Sequence, residues 1–219
     1  MNNKILIAGI VAILLIIIYC NTRVVSIKST VDNNVYKVSA GFSNKKEAAD
    51  FIGRMNTDMI KFLRFLKLKY HIDETEEQIS NCNNHAYMNK YTYGIVDRIL
   101  NNYNFEAIYE NNPRISSDTS YTISKGKSLH LCLRDRKQPN KFVPYDIFLF
   151  VALHELAHMG NSSFGHDTQF WETFKFVLHE ATLANIYTPI DYRNNPVDYC
   201  GLIVEYNPLF DATLRDVWK

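Results

Sequence analysis

The segment from Pro144 to His158 constrains this chain most, because it joins a wholly apolar run to a cluster of titratable groups. Pro144 suits a helix start, where its missing N–H is no loss. Ile147 to Leu153 contains nothing polar, so the helix is expected to be buried. It continues as His154-Glu155-Leu156-Ala157-His158, an HExxH pattern. Residues four apart share a helix face, about 5–6 Å between Cβ atoms, so the two imidazoles can meet one ion at ~2.0–2.1 Å each. Glu155 stands ~100° round the helix, where it flanks that ion and reaches a water on it. Burying two histidines and a glutamate on such a helix is costly without a partner. A metal is the expected partner.

A third ligand follows. Gly160 to Gly165 interrupt the helix and His166 comes eight residues after His158. Asp167 or Thr168 then caps a helix carrying Phe170, Trp171, Phe174, Val177 and Leu178 at helical spacing. His154, His158 and His166 therefore make a three-ligand Zn2+ site with an open fourth position, and Glu155 is the general base. Glu172 and Glu180 are alternative third ligands. Tyr187, Tyr192 and Tyr199 are candidate oxyanion donors among which the sequence does not choose. His130 lies opposite the leucine face of an alternating strand, and His71 and His85 have no motif around them.

The stretch Leu153-His154-Glu155-Leu156-Ala157-His158, with Gly165-His166-Asp167-Thr168-Gln169-Phe170-Trp171, resembles the small zinc metallopeptidases of the WLM and SprT-like group. The match covers roughly residues 115–182. It implies His154, His158 and His166 as ligands, Glu155 as general base, and protein or peptide substrates. It also implies that Leu129 to Arg134 is the edge strand that aligns an extended peptide. Membrane-tethered relatives occur among large DNA viruses. One departure matters: the chain has no basic extension, so the DNA–protein crosslink role of some relatives is not carried over. With 24 Lys and Arg against 23 Asp and Glu, nucleic acid is not an expected partner.

Ile5 to Tyr19 contains no charge. Counted through Cys20 it spans roughly 24 Å as a helix, against a hydrocarbon core of ~30 Å. Tyr19-Cys20-Asn21-Thr22 offers no small-x-small cleavage site. Residues 1–20 are therefore read as an uncleaved single-pass membrane anchor and 21–42 as a tether with some strand character. Arg23, Lys28 and Lys37 after the anchor place the C-terminal part on the cytosolic side. Cys20, Cys82, Cys132 and Cys200 form no CxxC pair and are read as free thiols in a reducing compartment.

Residues 43–219 are then the folded domain. Ser43 or Asn44 caps a helix that buries Ala48, Phe51, Ile52, Met55, Met59, Phe62, Leu63 and Leu66. A second helix is expected over 86–103, and a loop over the Asn-rich 101–112. Tyr121-Thr122-Ile123 and Leu129 to Leu133 form a hairpin turning at Lys125-Gly126-Lys127. The expected class is α+β: an N-terminal transmembrane helix, then a zincin-like domain with a small antiparallel sheet and an HExxH helix. The function this supports is peptide hydrolysis at a membrane. The alternatives are an inactive zinc-stabilised scaffold or binding protein, against which the intact Glu155 argues, and a metal-free structural membrane protein.

Overall fold

The computed structural model describes residues 3–72, 90–112 and 116–219. In chain order it forms α1 (Asn3–Thr22), β1 (Val24–Lys28), β2 (Val35–Ser39), α2 (Lys45–Lys69), α3 (Lys90–Asn102), β3 (Ile108–Asn111), β4 (Tyr121–Ile123), β5 (Ser128–Cys132), α4 (Tyr145–Gly160), α5 (Thr168–Leu183), β6 (Val197–Tyr199) and β7 (Leu202–Val204). Residues 24–39, inside the expected tether, build the first hairpin of the sheet, with Val24 opposite Ser39.

Five strands form one sheet in the order β1-β2-β3-β5-β4. Its outer pairs are antiparallel, including the expected hairpin with Thr122 opposite Leu129. The interior pairs β2–β3 and β3–β5 run parallel. Parallel neighbours need a crossover, and α2 and α3 lie in the connection from β2 to β3. Leu129 and Leu131 are buried on one face of β5. On the other, His130 stacks between the facing rings of Tyr109 and Tyr121, with centroids 4.8 and 4.6 Å away.

β3 occupies the end of the Asn-rich stretch expected to be a loop. Its register is fixed by burial that its own sequence does not advertise. Ile108 is buried, and Glu110 is buried against the Arg134 guanidinium while its other oxygen accepts from the Ser39 N–H at 2.8 Å. Because β3 and β4 flank β5, the edge strand is β4, not the Leu129 to Arg134 segment.

The core side of α2 carries Ala48, Ile52, Met55, Met59, Phe62, Leu63 and Leu66, as its periodicity predicts, with Phe51 stacked on Phe142 and tilted against Phe148. Asn44 stands at the N-cap, but its side chain makes no cap bond. It accepts instead from Arg134 Nη1 at 2.6 Å and donates to the Asn140 carbonyl at 2.9 Å. The second expected helix is described from Lys90 on, burying Thr92, Ile95, Val96 and Ile99; its proposed start at 86–89 lies outside the described residues.

Two further expectations are overturned. Among the described residues no helix is long and apolar enough to cross a membrane, so a single-pass membrane location with a cytosolic C-terminal domain is not supported. The reason is length: the charge-free run inside α1 falls short of the hydrocarbon core and is bounded by Lys4 and Arg23. Cys132 and Cys200 are not free thiols but a disulfide, Cα atoms 6.5 Å apart, tying the end of β5 to the β6–β7 turn. Their separation of 68 residues hides that pairing from any local motif. Cys82 lies outside the described residues, as does His85.

Candidate metal centre

Helix α4 is buried on nearly every side, from Ile147 to Gly160. Its C-terminal carbonyls, which no later turn can satisfy, are taken up by α3. Arg98 Nε donates to Gly160 O at 2.7 Å and Asn102 Nδ2 to Met159 O at 3.0 Å. The helices meet so closely that a Cβ on Gly160 would stand 2.8 Å from Ile99 Cγ1. The chain then leaves through Asn161–Gly165. There Lys125 Nζ, from the β4–β5 turn, donates to the carbonyls of Asn161 and, at 2.6 Å, Ser163. Gly165 adopts φ 81°, a left-handed bend that favours glycine. Asp167 caps α5 by accepting from the Phe170 N–H at 2.8 Å. His166 is thus held between a pinned loop and a capped helix.

The structure brings the three sequence-predicted histidines together. Nε2 of His158 lies 3.2 Å from Nε2 of His154 and 3.1 Å from that of His166, and the third side of the triangle is 3.0 Å. Each imidazole nitrogen offers either one N–H or one lone pair in its ring plane, so a closed triangle cannot be satisfied by three mutual hydrogen bonds. Nitrogens sharing one small divalent ion at ~2.0–2.1 Å stand about 3.3 Å apart in tetrahedral geometry. The triad fits that arrangement and could hold a metal ion.

Burial, reinforced by the facing imidazoles, drives His154 well below the usual histidine value. Burial, then His166 and Lys125, brings His158 down to about 4, and burial also lowers His166. Neutral rings keep the lone pairs a metal needs. Phe170 underlies all three, its centroid 4.2, 4.7 and 4.9 Å from the rings of His158, His166 and His154, and Trp171 stacks on His166 at 5.7 Å.

Glu155 is buried beside the triad, and its Oε2 has no hydrogen-bond partner among the described residues. Burial pushes its carboxyl up to about 8, with the Thr122 backbone on β4 acting in the opposite direction. The other predicted candidates lie elsewhere. Glu180 pairs with Lys69 and accepts from Tyr70, and Glu172 accepts from Arg215. Tyr187 accepts from Asn207 at 3.0 Å, and Tyr192 packs on Phe150. Tyr199 does line the cleft, but its hydroxyl donates to Cys132 O at 2.8 Å and bonds Ser120 Oγ at 2.7 Å.

The triad and Glu155 separate two cavities. One, about 300 Å³, is bordered by Thr122, Ser124, Lys125, Ser163, Phe164 and Gly165. The other, about 330 Å³, is bordered by Phe150, Trp171, Phe174, Leu202, Val204 and Tyr206. Apart from Tyr199, the β6–β7 wall of the second lies outside the site residues that the sequence points to. Its only sequence signal is the apolar trio Leu202-Ile203-Val204.

A compact α+β domain carrying two of these histidines on its buried helix and the third on the loop that follows is metalloprotease-like in class. The WLM domain pattern matches residues 37–192, and the chain belongs to the WLM family. It is 30% identical over 203 residues to protein R325 of Acanthamoeba polyphaga mimivirus, spanning 91% of this chain and 93% of that one. Protein 136R of Invertebrate iridescent virus 6 is 36% identical over 69 residues, covering 31% of this chain and 38% of its own length. Among solved structures, Wss1 from Saccharomyces cerevisiae aligns at 19% identity over 43% of this chain and 77% of its own. Its TM-score is 0.35, too distant a likeness to carry an argument.

Proposed function

We propose that the chain is a zinc-dependent peptidase that hydrolyses peptide bonds in extended protein segments. The observation that carries this is the convergence of three neutral imidazoles beside a buried carboxylate oxygen that no group among the described residues satisfies. An all-nitrogen triad with aromatic walls suits Zn2+ better than oxygen-seeking Mg2+ or Ca2+. His154, His158 and His166 would hold the ion, which when bound polarises a carbonyl and acidifies water. Glu155 takes the proton of the attacking water at its unpartnered Oε2 and delivers it to the leaving amine. Its burial excludes competing solvent, and the short helical link to His154 keeps it beside the reacting atoms. The exposed edge of β4 holds the substrate backbone by strand pairing, which admits extended segments and rejects folded surfaces.

The test is metal analysis of the purified chain together with peptide cleavage before and after chelation. One zinc per chain and cleavage that chelation stops and zinc restores are the expected results. A folded chain that retains no zinc overturns the reading. So does one zinc with no cleavage of unfolded protein or peptide mixtures.

A further inference from the structure

The two cavities beside the triad differ in chemistry, and the polarity of β4 says which part of a substrate meets each. The cavity that holds Lys125 runs along β4 from Ser120 to Ser124; the more apolar one meets the strand only at its N-terminal end, by Thr119 and Ser120. An added strand pairs more stably antiparallel than parallel, as β4 already does with β5. A peptide laid antiparallel on β4 enters over Lys125 and leaves over Ser120. The residues that follow the scissile bond therefore face the apolar cavity.

That cavity is walled by Phe150, Trp171, Phe174, Leu202 and Val204, with Tyr206 at its side. The Tyr206 hydroxyl is committed to Asp211 at 2.7 Å, so it does not make the cavity polar. Apart from Glu155 and the two histidines shared with the triad, Glu205 is the only charged lining residue. At about 330 Å³ the space is at the low end of small-ligand sites, suited to one large side chain. Leu202 and Ile203 on its β6–β7 wall are each 54% exposed, an apolar hairpin presented to solvent at the mouth of the site. The disulfide from Cys132 holds that hairpin against the end of the sheet.

We infer that the chain selects a large apolar residue immediately after the bond it cleaves, and that Trp171 with the β6–β7 hairpin sets this selectivity. The inference rests on the peptidase reading and names its substrate class.

The experiment uses the zinc-loaded full chain and a mixture of proteome-derived peptides, with cleaved bonds read by mass spectrometry. Leu, Ile, Phe or Met after the cut should be preferred on the order of tenfold or more over Gly, Asp or Lys. The Leu202→Lys variant should lose that preference and gain one for Asp and Glu. In parallel, the Glu155→Gln chain with zinc is incubated with the same mixture and retained peptides are identified, which reads selectivity without turnover. Cleavage without an apolar preference, or a basic preference set by Glu205, overturns the inference and leaves the peptidase reading intact. No cleavage, with apolar peptides still enriched on the Glu155→Gln chain, supports the pocket and overturns the peptidase. Neither cleavage nor enrichment overturns both.

Discussion

Glu110 and Glu155 are both buried glutamates, and the protein treats them in opposite ways. Glu110 is met on every side: the Arg134 guanidinium takes one oxygen and the Ser39 N–H the other. Arg134 is in turn plated by the rings of Phe42 and Phe142 at 4.1 and 5.0 Å and held by Asn44. Glu155 sits equally deep with one oxygen unmatched, beside three imidazoles that only a shared cation satisfies together. Both oxygens of Glu110 are matched within the chain, although Arg134 Nη2 beside it has no partner among the described residues, and the pair organises the fold. The unmatched oxygen of Glu155 instead faces a triad that could hold a metal ion.

The sharpest way to break this contrast is to neutralise each glutamate's environment separately. Glu155→Gln should lower peptide cleavage by about 10²–10⁴-fold, the range of general acid–base catalysis. Zinc content and the urea midpoint should not fall, because Gln keeps the shape of a side chain whose Oε2 has no partner among the described residues. Turnover near the wild-type rate would put the base elsewhere. Arg134→Met should do the reverse. Removing one partner of a buried pair leaves Glu110 stranded and costs about 3–5 kcal/mol in urea unfolding. Replacing both partners with apolar residues of like volume should recover most of that loss. If Arg134→Met alone is neutral, the pair is not what fixes β3.

Metal removal probes the same contrast from the ligand side. With free zinc at a thousandfold over its dissociation constant, binding to the folded state alone adds about 4 kcal/mol. Chelation should therefore lower the melting temperature of the wild type and leave His166→Ala almost unmoved. Equal chelator effects on the two would place the zinc on other residues.

The same distinction explains what could be read from the sequence. The HExxH pair was legible because helical spacing is local, and His166 because a short loop and an Asp167 cap leave it little freedom. The core side of α2 followed from periodicity alone. β3 was not legible, since Ile108 and Glu110 lie in a polar, Asn-rich stretch and are buried by partners as distant as Ser39 and Arg134. Strand order was equally out of reach: the hairpin Tyr121–Leu133 was expected, but which of its strands forms the edge depends on where β3 inserts. The Cys132–Cys200 link and the apolar wall of Leu202 to Val204 arise from the same long-range closure. Lack of charge in the N-terminal run does not by itself make a membrane span, since no described helix is long and apolar enough to cross one.

Asp32 supplies a third carboxylate, intermediate between the other two, and the smallest expected effect. It lies in the β1–β2 turn, half-buried, and accepts from the Tyr36 hydroxyl, from Asn56 Nδ2 at 3.1 Å, and from Asn34 through its N–H at 3.2 Å and Nδ2 at 3.0 Å. Burial raises its pKa, but these donors together outweigh burial and hold it below the ordinary value of 3.8. A depressed carboxyl contributes stability that is complete above the unfolded pKa and is lost as the pH falls through the folded one. Asp32→Asn should therefore lower the melting temperature by about 1–2 °C near neutrality, and the gap to wild type should close in acid, below pH 3.8. A gap that persists there would mean that shape, not charge, holds the turn. If the gap instead widened with acidification, Asp32 would behave as Glu155 does, a carboxyl raised by burial, and the line drawn between satisfied and unsatisfied carboxylates would fail at its middle case.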